Sequence, residues 1–179
     1  MIKVQDSLLT KGECDQIINY TMSEFHHNFN YTDIGQYHYV QLMRSDESFE
    51  TKFSNPVLQP AYNAIINLKN LYVEEFPEVQ NLDAWNIEYV RFKRWKPDNS
   101  FGHWHSEHNT EEPNRVMSFM IYLSDNDCST NFRRHNSVKT KAGRGLMFPA
   151  YFTHEHCGEV CREGLDRYVL SGYYCFVGK

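Results

Sequence analysis

The hydrophobic pattern changes along the chain, from a helical period before Pro77 to a strand period after it. Before Pro77, apolar residues recur every three or four positions in two segments, which predicts helices over about 11–25 and about 56–75. After it, short alternating segments and brief apolar runs follow one another between turn residues, beginning with Trp85–Val90. Helices that precede many short strands favour an antiparallel sandwich or jelly roll, with the helices packed on one sheet.

Local signals support these boundaries. The stretch from Thr10 to Glu13 is a capping-box sequence, T-x-x-E, in which the two ends of the first helical turn satisfy each other's backbone N–H groups. Pro56 stands where the second helix would begin. Further strands are predicted at Tyr37–Leu42, Met117–Leu123, Leu146–Phe148 and Arg167–Phe176. Without an internal repeat or a linker, we expect one domain over 1–179, with helical support over about 1–80 and a β core over about 81–179.

Composition limits the partners and the compartment. Of the 179 residues, 41% are hydrophobic and 23% are charged, which is ordinary for a globular domain. The net charge of -5 argues against a nucleic-acid partner, since such proteins usually present a basic face. No apolar run approaches the roughly 20 residues of a membrane span, and no signal-peptide core is present, so we expect a cytoplasmic protein.

The five cysteines predict free thiols, because their number is odd and the expected compartment is reducing. Cys157 and Cys161 are spaced C-x-x-x-C, but no second cysteine pair accompanies them. A structural zinc site normally needs such a pair, so the sequence argues against one.

One segment, FGHWHSEHN, concentrates side chains that bind metals. In an extended chain, side chains two positions apart point the same way, so His105 and Glu107 share a face and His103 would join them. A histidine and a carboxylate from one strand are two of the three ligands of a 2-His-1-carboxylate iron(II) site. The third ligand must come from elsewhere, and FPAYFTHEH offers His154 and His156.

Alone, such a cluster is more typical of a solvated loop than of a metal site. Three further pieces follow it in order: Arg115 before an apolar strand ending in Tyr-Leu, the glycine-rich segment GRGLMFPAYFTH, and Arg167 on a later strand. Together with His105-Ser106-Glu107, they resemble the iron(II)/2-oxoglutarate-dependent oxygenases, in their prolyl-4-hydroxylase-like branch. The resemblance extends over about 86–176 of the sequence.

The resemblance implies a double-stranded β-helix, a cupin-like jelly roll, with helices on one sheet. It implies a dioxygenase that uses Fe(II), 2-oxoglutarate and molecular oxygen to hydroxylate a protein residue or a small metabolite, and releases succinate. His105, Glu107 and His154 would hold the iron. Arg167 and Tyr122 would bind the far carboxylate of 2-oxoglutarate, and a guanidinium suits this because its fork matches a carboxylate.

Two ligand choices stay open. Relatives place the distal histidine six positions after the phenylalanine that corresponds to Phe148, which selects His154, but an extended backbone would put His156 on the same face. Glu107 stands where most members carry aspartate, and its extra methylene lengthens the ligand arm.

Four residues are candidates for the substrate pocket: Arg115, Trp95, Tyr89 and His103. Trp95 lies ten positions before His105, where relatives often carry a tyrosine that touches 2-oxoglutarate, although core packing explains it equally well. Arg115 either enters the pocket or pairs with an acidic neighbour. Tyr89 either lines the site or fills the barrel. His103 is expected at the mouth.

Segments 27–53 and 125–138 are expected to frame the substrate entrance, and neither shows a pattern that identifies the substrate. The alternative function is a cupin-like metal-binding protein or metalloenzyme that does not use 2-oxoglutarate. A third class is a non-catalytic binding module on the same sandwich. Arg167 and Tyr122 discriminate, because a protein with no dicarboxylate ligand has less need for both.

Overall fold

Across residues 1–44 and 55–176, which it describes, the computed structural model contains two α-helices and ten strands. The helices are α1 (Lys11–Glu24) and α2 (Gln59–Glu75), and short 3-10 turns span Pro77–Val79 and Phe152–His154. The strands are β1 (Lys3–Gln5), β2 (Asn30–Thr32), β3 (Tyr37–Arg44), β4 (Asn86–Trp95), β5 (Arg115–Tyr122), β6 (Ser129–Phe132), β7 (Val138–Lys139), β8 (Gly145–Pro149), β9 (His156–Gly158) and β10 (Arg167–Cys175).

Both helices begin close to the predicted positions. The Glu13 N–H donates to Oγ1 of Thr10 (3.2 Å), and the Thr10 N–H donates to Oε2 of Glu13 (2.7 Å), so the predicted capping box is present. The second helix starts at Gln59, after a turn that follows Pro56, and Pro60 occupies its first turn. Neither α1 nor α2, the helices of the described residues, combines the length and the apolar character needed to cross a bilayer.

All strand pairs are antiparallel and form two sheets, which confirms the mainly β jelly-roll prediction. The large sheet has the order β1-β8-β5-β10-β4-β3-β2, and the small sheet has the order β7-β6-β9. The predicted division near residue 81 does not separate helices from strands, because β1, β2 and β3 join the large sheet. The predicted strand at 37–42 lies within β3, whereas positions 45–53 of the expected entrance segment fall outside the described residues.

Side chains alternate between the two faces of the large sheet, as strand geometry requires. On β5, Phe119 and Ile121 are fully buried and belong to the same apolar cluster as Ile65 and Leu68 of α2. The next side chain along the strand, Tyr122, belongs to a second apolar cluster on the opposite face. Helices therefore cover one face, and the other face is free to build a site.

A β-bulge interrupts the alternation on β4. Val90 lies opposite Gly172 and Ile87 lies opposite Tyr174, so Glu88 and Tyr89 together face the single residue Tyr173. Both Glu88 and Tyr89 consequently reach the same cavity. Bulges are known to redirect side chains in this way near functional sites.

The thiol prediction is wrong for two cysteines. Cys128 and Cys161 form a disulfide with Cα atoms 4.8 Å apart, while Cys14, Cys157 and Cys175 are free. Cys128 directly precedes β6, and Cys161 lies in the connection from β9 to β10. Their proximity is a long-range consequence of the fold, which an odd cysteine count cannot reveal.

Candidate metal centre

A cavity of about 420 Å³ lies on the face of the large sheet that points away from the helices. Alternate residues of β4 and β10 supply much of its wall: Tyr89, Arg91, Lys93 and Trp95 from β4, with Arg167, Ser171 and Tyr173 from β10. The predicted motif residues His105 and Glu107 line the same cavity. The sheet therefore places charged and aromatic groups around one enclosed space.

Three ligand atoms of His105, Glu107 and His156 lie within 4.8 Å of one another. Nε2 of His105 is 3.5 Å from Oε1 of Glu107, and Nε2 of His156 is 3.6 Å from the same oxygen. The backbone brings the two histidines together, because His105 and His156 exchange N–H···O=C hydrogen bonds of 3.1 and 3.0 Å. Two distant segments are thus joined at the ligands themselves.

Hydrogen bonds also fix the tautomer of each imidazole. Nδ1 of His105 lies 2.9 Å from the carbonyl oxygen of His103, and Nδ1 of His156 lies 3.1 Å from that of His154. A carbonyl oxygen can only accept, so Nδ1 carries the proton and donates in both rings. Each Nε2 is then the ring nitrogen on the side of Glu107 that is available to a metal. Two such imidazoles and a carboxylate are the donor set suited to a facial Fe(II) site, so the residues present fit this metal.

The carboxyl group of Glu107 is ionised in this setting. Burial raises the pKa of Glu107, but its contacts with His105 and His156 outweigh burial and hold the pKa well below the usual range. Nη1 of Arg115 lies 3.8 Å from Oε2, the oxygen that does not face the imidazoles. The glutamate that replaces the usual aspartate therefore reaches both histidines and keeps its negative charge.

The structure does not support His154 as the distal ligand. Its ring stacks on His135 with centroids 4.6 Å apart, and its Nδ1 lies 2.9 Å from Oγ1 of Thr153. Burial, followed by the neighbouring charge of His135, lowers the pKa of His154 to about 4. The cause of the error is the 3-10 turn over Phe152–His154, which ends before the chain becomes extended at His156.

At the other end of the cavity, Arg167 is buried and contacts the hydroxyl of Thr130, a residue that the sequence did not single out. Its Nη2 donates to Oγ1 of Thr130 (3.2 Å), and Nε has no hydrogen-bond partner among the described residues. Burial lowers the pKa of Arg167, and none of the described carboxylates pairs with it. A buried guanidinium without a counter-ion is unfavourable, and a dicarboxylate such as 2-oxoglutarate fits it.

Tyr122 supports this end of the cavity from behind. Its hydroxyl lies 2.7 Å from Oγ1 of Thr130, and the residue is fully buried. Thr130 lines the cavity and Tyr122 does not, so Tyr122 is linked to the cavity wall through Thr130, and its contact with 2-oxoglutarate stays a prediction. Thr130 lies on β6, inside the segment 125–138 that was expected to form only an entrance loop. The four-residue sequence Ser-Thr-Asn-Phe is too short to show an alternating pattern.

Arg115 satisfies both of the roles considered for it. It lines the cavity, and its Nε and Nη2 donate to the two carboxylate oxygens of Glu88 at 2.7 Å each. Nη2 also lies 3.1 Å from Glu112 and donates to the hydroxyl of Tyr89 (3.3 Å). Burial opposes the charge of Arg115, but the hydrogen bonds with Glu88 outweigh it and raise the pKa of Arg115.

The remaining pocket predictions have different outcomes. Tyr89 and Trp95 line the cavity, although the indole N–H of Trp95 is already used in a hydrogen bond to the Gly35 carbonyl (2.9 Å). The side chain of His103 is exposed and is absent from the cavity lining. The carbonyl of His103 accepts a hydrogen bond from Nδ1 of His105, and the place of its side chain at the mouth stays a prediction.

Comparisons with known proteins find a matching family profile and similar folds. The profile of the 2OG-Fe(II) oxygenase superfamily matches residues 90–175. No curated protein sequence matches the chain.

Solved structures with a similar fold include three prolyl hydroxylases. One is a viral collagen prolyl hydroxylase from Paramecium Bursaria Chlorella virus-1, in a 2OG complex, with a TM-score of 0.70 and 17% identity over 98% of this chain and 96% of that chain. A Pseudomonas putida prolyl-4-hydroxylase has a TM-score of 0.67 and 14% identity over 99% and 93%. A prolyl hydroxylase in complex with a hypoxia inducible factor peptide fragment, from Trichoplax adhaerens, has a TM-score of 0.66 and 11% identity over 97% and 83%.

Proposed function

We propose that this chain, whose residues 90–175 match the profile of the 2OG-Fe(II) oxygenase superfamily, is a member of that superfamily and hydroxylates a protein residue or a small metabolite at the centre formed by His105, Glu107 and His156. Fe(II) and 2-oxoglutarate are the cofactors of this superfamily. The observation that carries the proposal is the convergence of two imidazole Nε2 atoms and one half-buried carboxylate in the same cavity as Arg167, which has no carboxylate partner among the described residues.

The three ligands have distinct tasks. His105 and His156 would offer their Nε2 atoms to the metal, since each Nδ1–H group donates to a backbone carbonyl. Glu107 supplies one negative charge, so a divalent cation keeps a net positive charge that attracts an anionic co-substrate. Three protein ligands leave coordination positions open for the 2-oxo acid and for oxygen.

Arg167 holds the far carboxylate of 2-oxoglutarate, and the hydroxyl of Thr130 donates beside it. Tyr122 fixes the Thr130 hydroxyl through their 2.7 Å contact. With molecular oxygen, the bound metal and 2-oxoglutarate supply the oxidising chemistry, which yields succinate and carbon dioxide. A cupin-like protein that does not bind 2-oxoglutarate would have no anionic ligand for the buried guanidinium of Arg167.

Arg115 and its carboxylates keep the ligand arm in place. Because Arg115 is bound by both oxygens of Glu88, its guanidinium has a fixed position beside Glu107. This contact restrains the longer side chain of Glu107, and ligand placement within about 0.5 Å matters in such sites. Arg115 is therefore a positioning residue in the proposed site.

The direct test is Fe(II)-dependent turnover of 2-oxoglutarate, measured as succinate formation under air with a panel of prolyl peptides and small metabolites. We expect succinate from the wild type and none from Glu107→Gln, which keeps the size of the side chain and removes its charge. Glu107→Asp should retain weak activity, since a shorter arm no longer reaches both imidazoles. Glu111→Gln, a change of a nearby exposed glutamate that is absent from the cavity lining, is the matched control. Wild-type rates in Glu107→Gln would contradict the proposal.

A further inference from the structure

Two cations on β4 face the cavity next to one another, at alternate positions Arg91 and Lys93. The Arg91 guanidinium lies over the ring of Tyr89 at 4.0 Å and over that of Tyr39 at 4.7 Å. Nζ of Lys93 lies 4.9 Å from the ring centre of Tyr37. The aromatic rings hold both side chains in the cavity wall without neutralising their charge.

Neither cation has a carboxylate partner within 1–44 and 55–176. No ion pair in this part of the chain involves Arg91 or Lys93, and Nε of Arg91 is buried without a hydrogen bond. Arg115, on the same cavity wall, is by contrast bound by Glu88 and by Glu112. Arg115 is thus paired with carboxylates, whereas Arg91 and Lys93 on the same cavity wall have no carboxylate partner among the described residues.

The charge balance of the cavity also indicates that Arg91 and Lys93 have no negative partner. Its lining has four Lys or Arg side chains and three glutamates. A divalent metal and the 2-oxoglutarate dianion cancel each other. Glu88 and Glu112 are paired with Arg115, and Glu107 faces the metal-binding imidazoles. Positive charge therefore remains at Arg91 and Lys93 when both cofactors are bound.

The far carboxylate of 2-oxoglutarate, if bound by Arg167, cannot also pair with Arg91. Arg167 pairs with Trp95 in the sheet register, whereas Arg91 pairs with Ser171. Four residues of strand separate these levels, about 13 Å at roughly 3.3 Å per residue. The two guanidiniums also lie over different rings of β4, Arg167 over Trp95 and Arg91 over Tyr89. A carboxylate held by Arg167 is therefore not shared with Arg91.

We propose that Arg91, supported by Lys93, is an anion subsite that selects a primary substrate bearing a carboxylate. The inference rests on the proposed function and names the substrate class for the same site. The guanidinium is half-buried and lies over two tyrosine rings, and its planar fork of N–H groups suits a two-point contact with a carboxylate. The carboxylate belongs either to an acidic peptide or to a small free acid, and the experiment separates these two sources.

The test measures binding to protein loaded with Mn(II) and saturating 2-oxoglutarate, so that no turnover occurs. Two probe pairs are titrated by calorimetry. One pair is a proline-centred peptide flanked by glutamates and the same peptide flanked by glutamines. The other pair is N-acetylglutamate and N-acetylglutamine. We expect the acid member of at least one pair to bind at least about tenfold more tightly than its amide, as a partly buried charge contact implies.

The preference should disappear in the double variant Arg91→Gln, Lys93→Gln and persist in Arg94→Gln. Arg94 is the matched control, because it directly follows Lys93 on β4 but is paired with Asp166 and absent from the cavity lining. Arg91→Lys keeps the charge and should retain part of the preference if the double variant unfolds. Equal binding of acid and amide in both pairs overturns the inference, as does a preference that survives the double variant. The proposed function fails separately if 2-oxoglutarate does not bind the wild type.

Discussion

The two faces of the large sheet are built from the same strands but have opposite character. On β4, Val90 and Phe92 point toward the helices and are fully buried in an apolar cluster. Arg91 and Lys93, their neighbours in sequence, point into the cavity and carry charges without a protein counter-ion among the described residues. One face gains free energy from burying apolar area, and the other keeps groups that only a ligand can satisfy.

This difference separates stability from activity along single strands. A truncation on the helix face should unfold the protein, and a change on the cavity face should abolish binding while the fold persists. Proteins commonly accept such locally unfavourable arrangements at functional sites and compensate elsewhere. The following changes test whether the separation holds, beginning with the largest effect.

The largest effect is expected for a cavity ligand. His156→Ala should weaken Fe(II) or Mn(II) binding by more than about a hundredfold, since loss of a supporting group alone costs about 10–100-fold. His154→Ala, two residues away, removes a ring that packs on His135 and should leave metal affinity nearly unchanged. Anaerobic metal titration of both variants measures the difference. The opposite ranking would restore His154 as the ligand.

On the helix face, Phe119→Ala should lower the free energy of unfolding by about 3–5 kcal/mol, because a fully buried ring is replaced by a cavity. Denaturant unfolding measures this loss. Metal affinity of the folded fraction should not change, which is the reverse of the pattern expected for His156. If Phe119→Ala weakened metal binding as strongly as it weakened folding, the two faces would be coupled rather than separate.

Arg167→Gln should weaken 2-oxoglutarate binding by about 2–5 kcal/mol and leave metal affinity almost unaffected, because it removes a buried charge contact. The free energy of unfolding should stay the same or increase, because this buried guanidinium has no carboxylate partner among the described residues. Calorimetry with 2-oxoglutarate and a thermal melt of the same sample report both quantities. Unchanged 2-oxoglutarate affinity would remove Arg167 from the proposed site.

The smallest effect belongs to Thr130→Val, which preserves shape and removes one hydroxyl. We expect 2-oxoglutarate binding to weaken by about 1 kcal/mol, the usual net contribution of one hydrogen bond. Ser129→Ala, the preceding residue on β6, is the matched control because it is absent from the cavity lining. Equal calorimetric affinities in both variants would show that Thr130 only fills space.

Features that depend on local pattern were predictable from the sequence. The capping box at Thr10 and the helical period before Pro77 place both helices within a few residues of their observed starts. The pairing of His105 with Glu107 follows from side chains two positions apart sharing a face, and the structure puts both in the cavity. These predictions succeed because each rests on neighbours within one turn or one strand.

Features that depend on long-range geometry were not predictable. His154 and His156 are equivalent in an extended chain, and only the 3-10 turn before His156 separates them. Thr130 gains its position because β6 runs beside β9 in the small sheet, which a four-residue strand does not reveal. The disulfide between Cys128 and Cys161 depends on the same approach of segments.

The bulge on β4 shifts the phase of the strand by one residue. Glu88 and Tyr89 both reach the cavity, and both contact Arg115. In a regular strand only one of the two side chains would face Arg115. Deleting either residue would restore strict alternation and move Ile87, along with everything before it on the strand, to the opposite side. A single insertion or deletion at this point of the chain would therefore exchange several side chains of the cavity wall at once. Several separate substitutions would be needed for the same change.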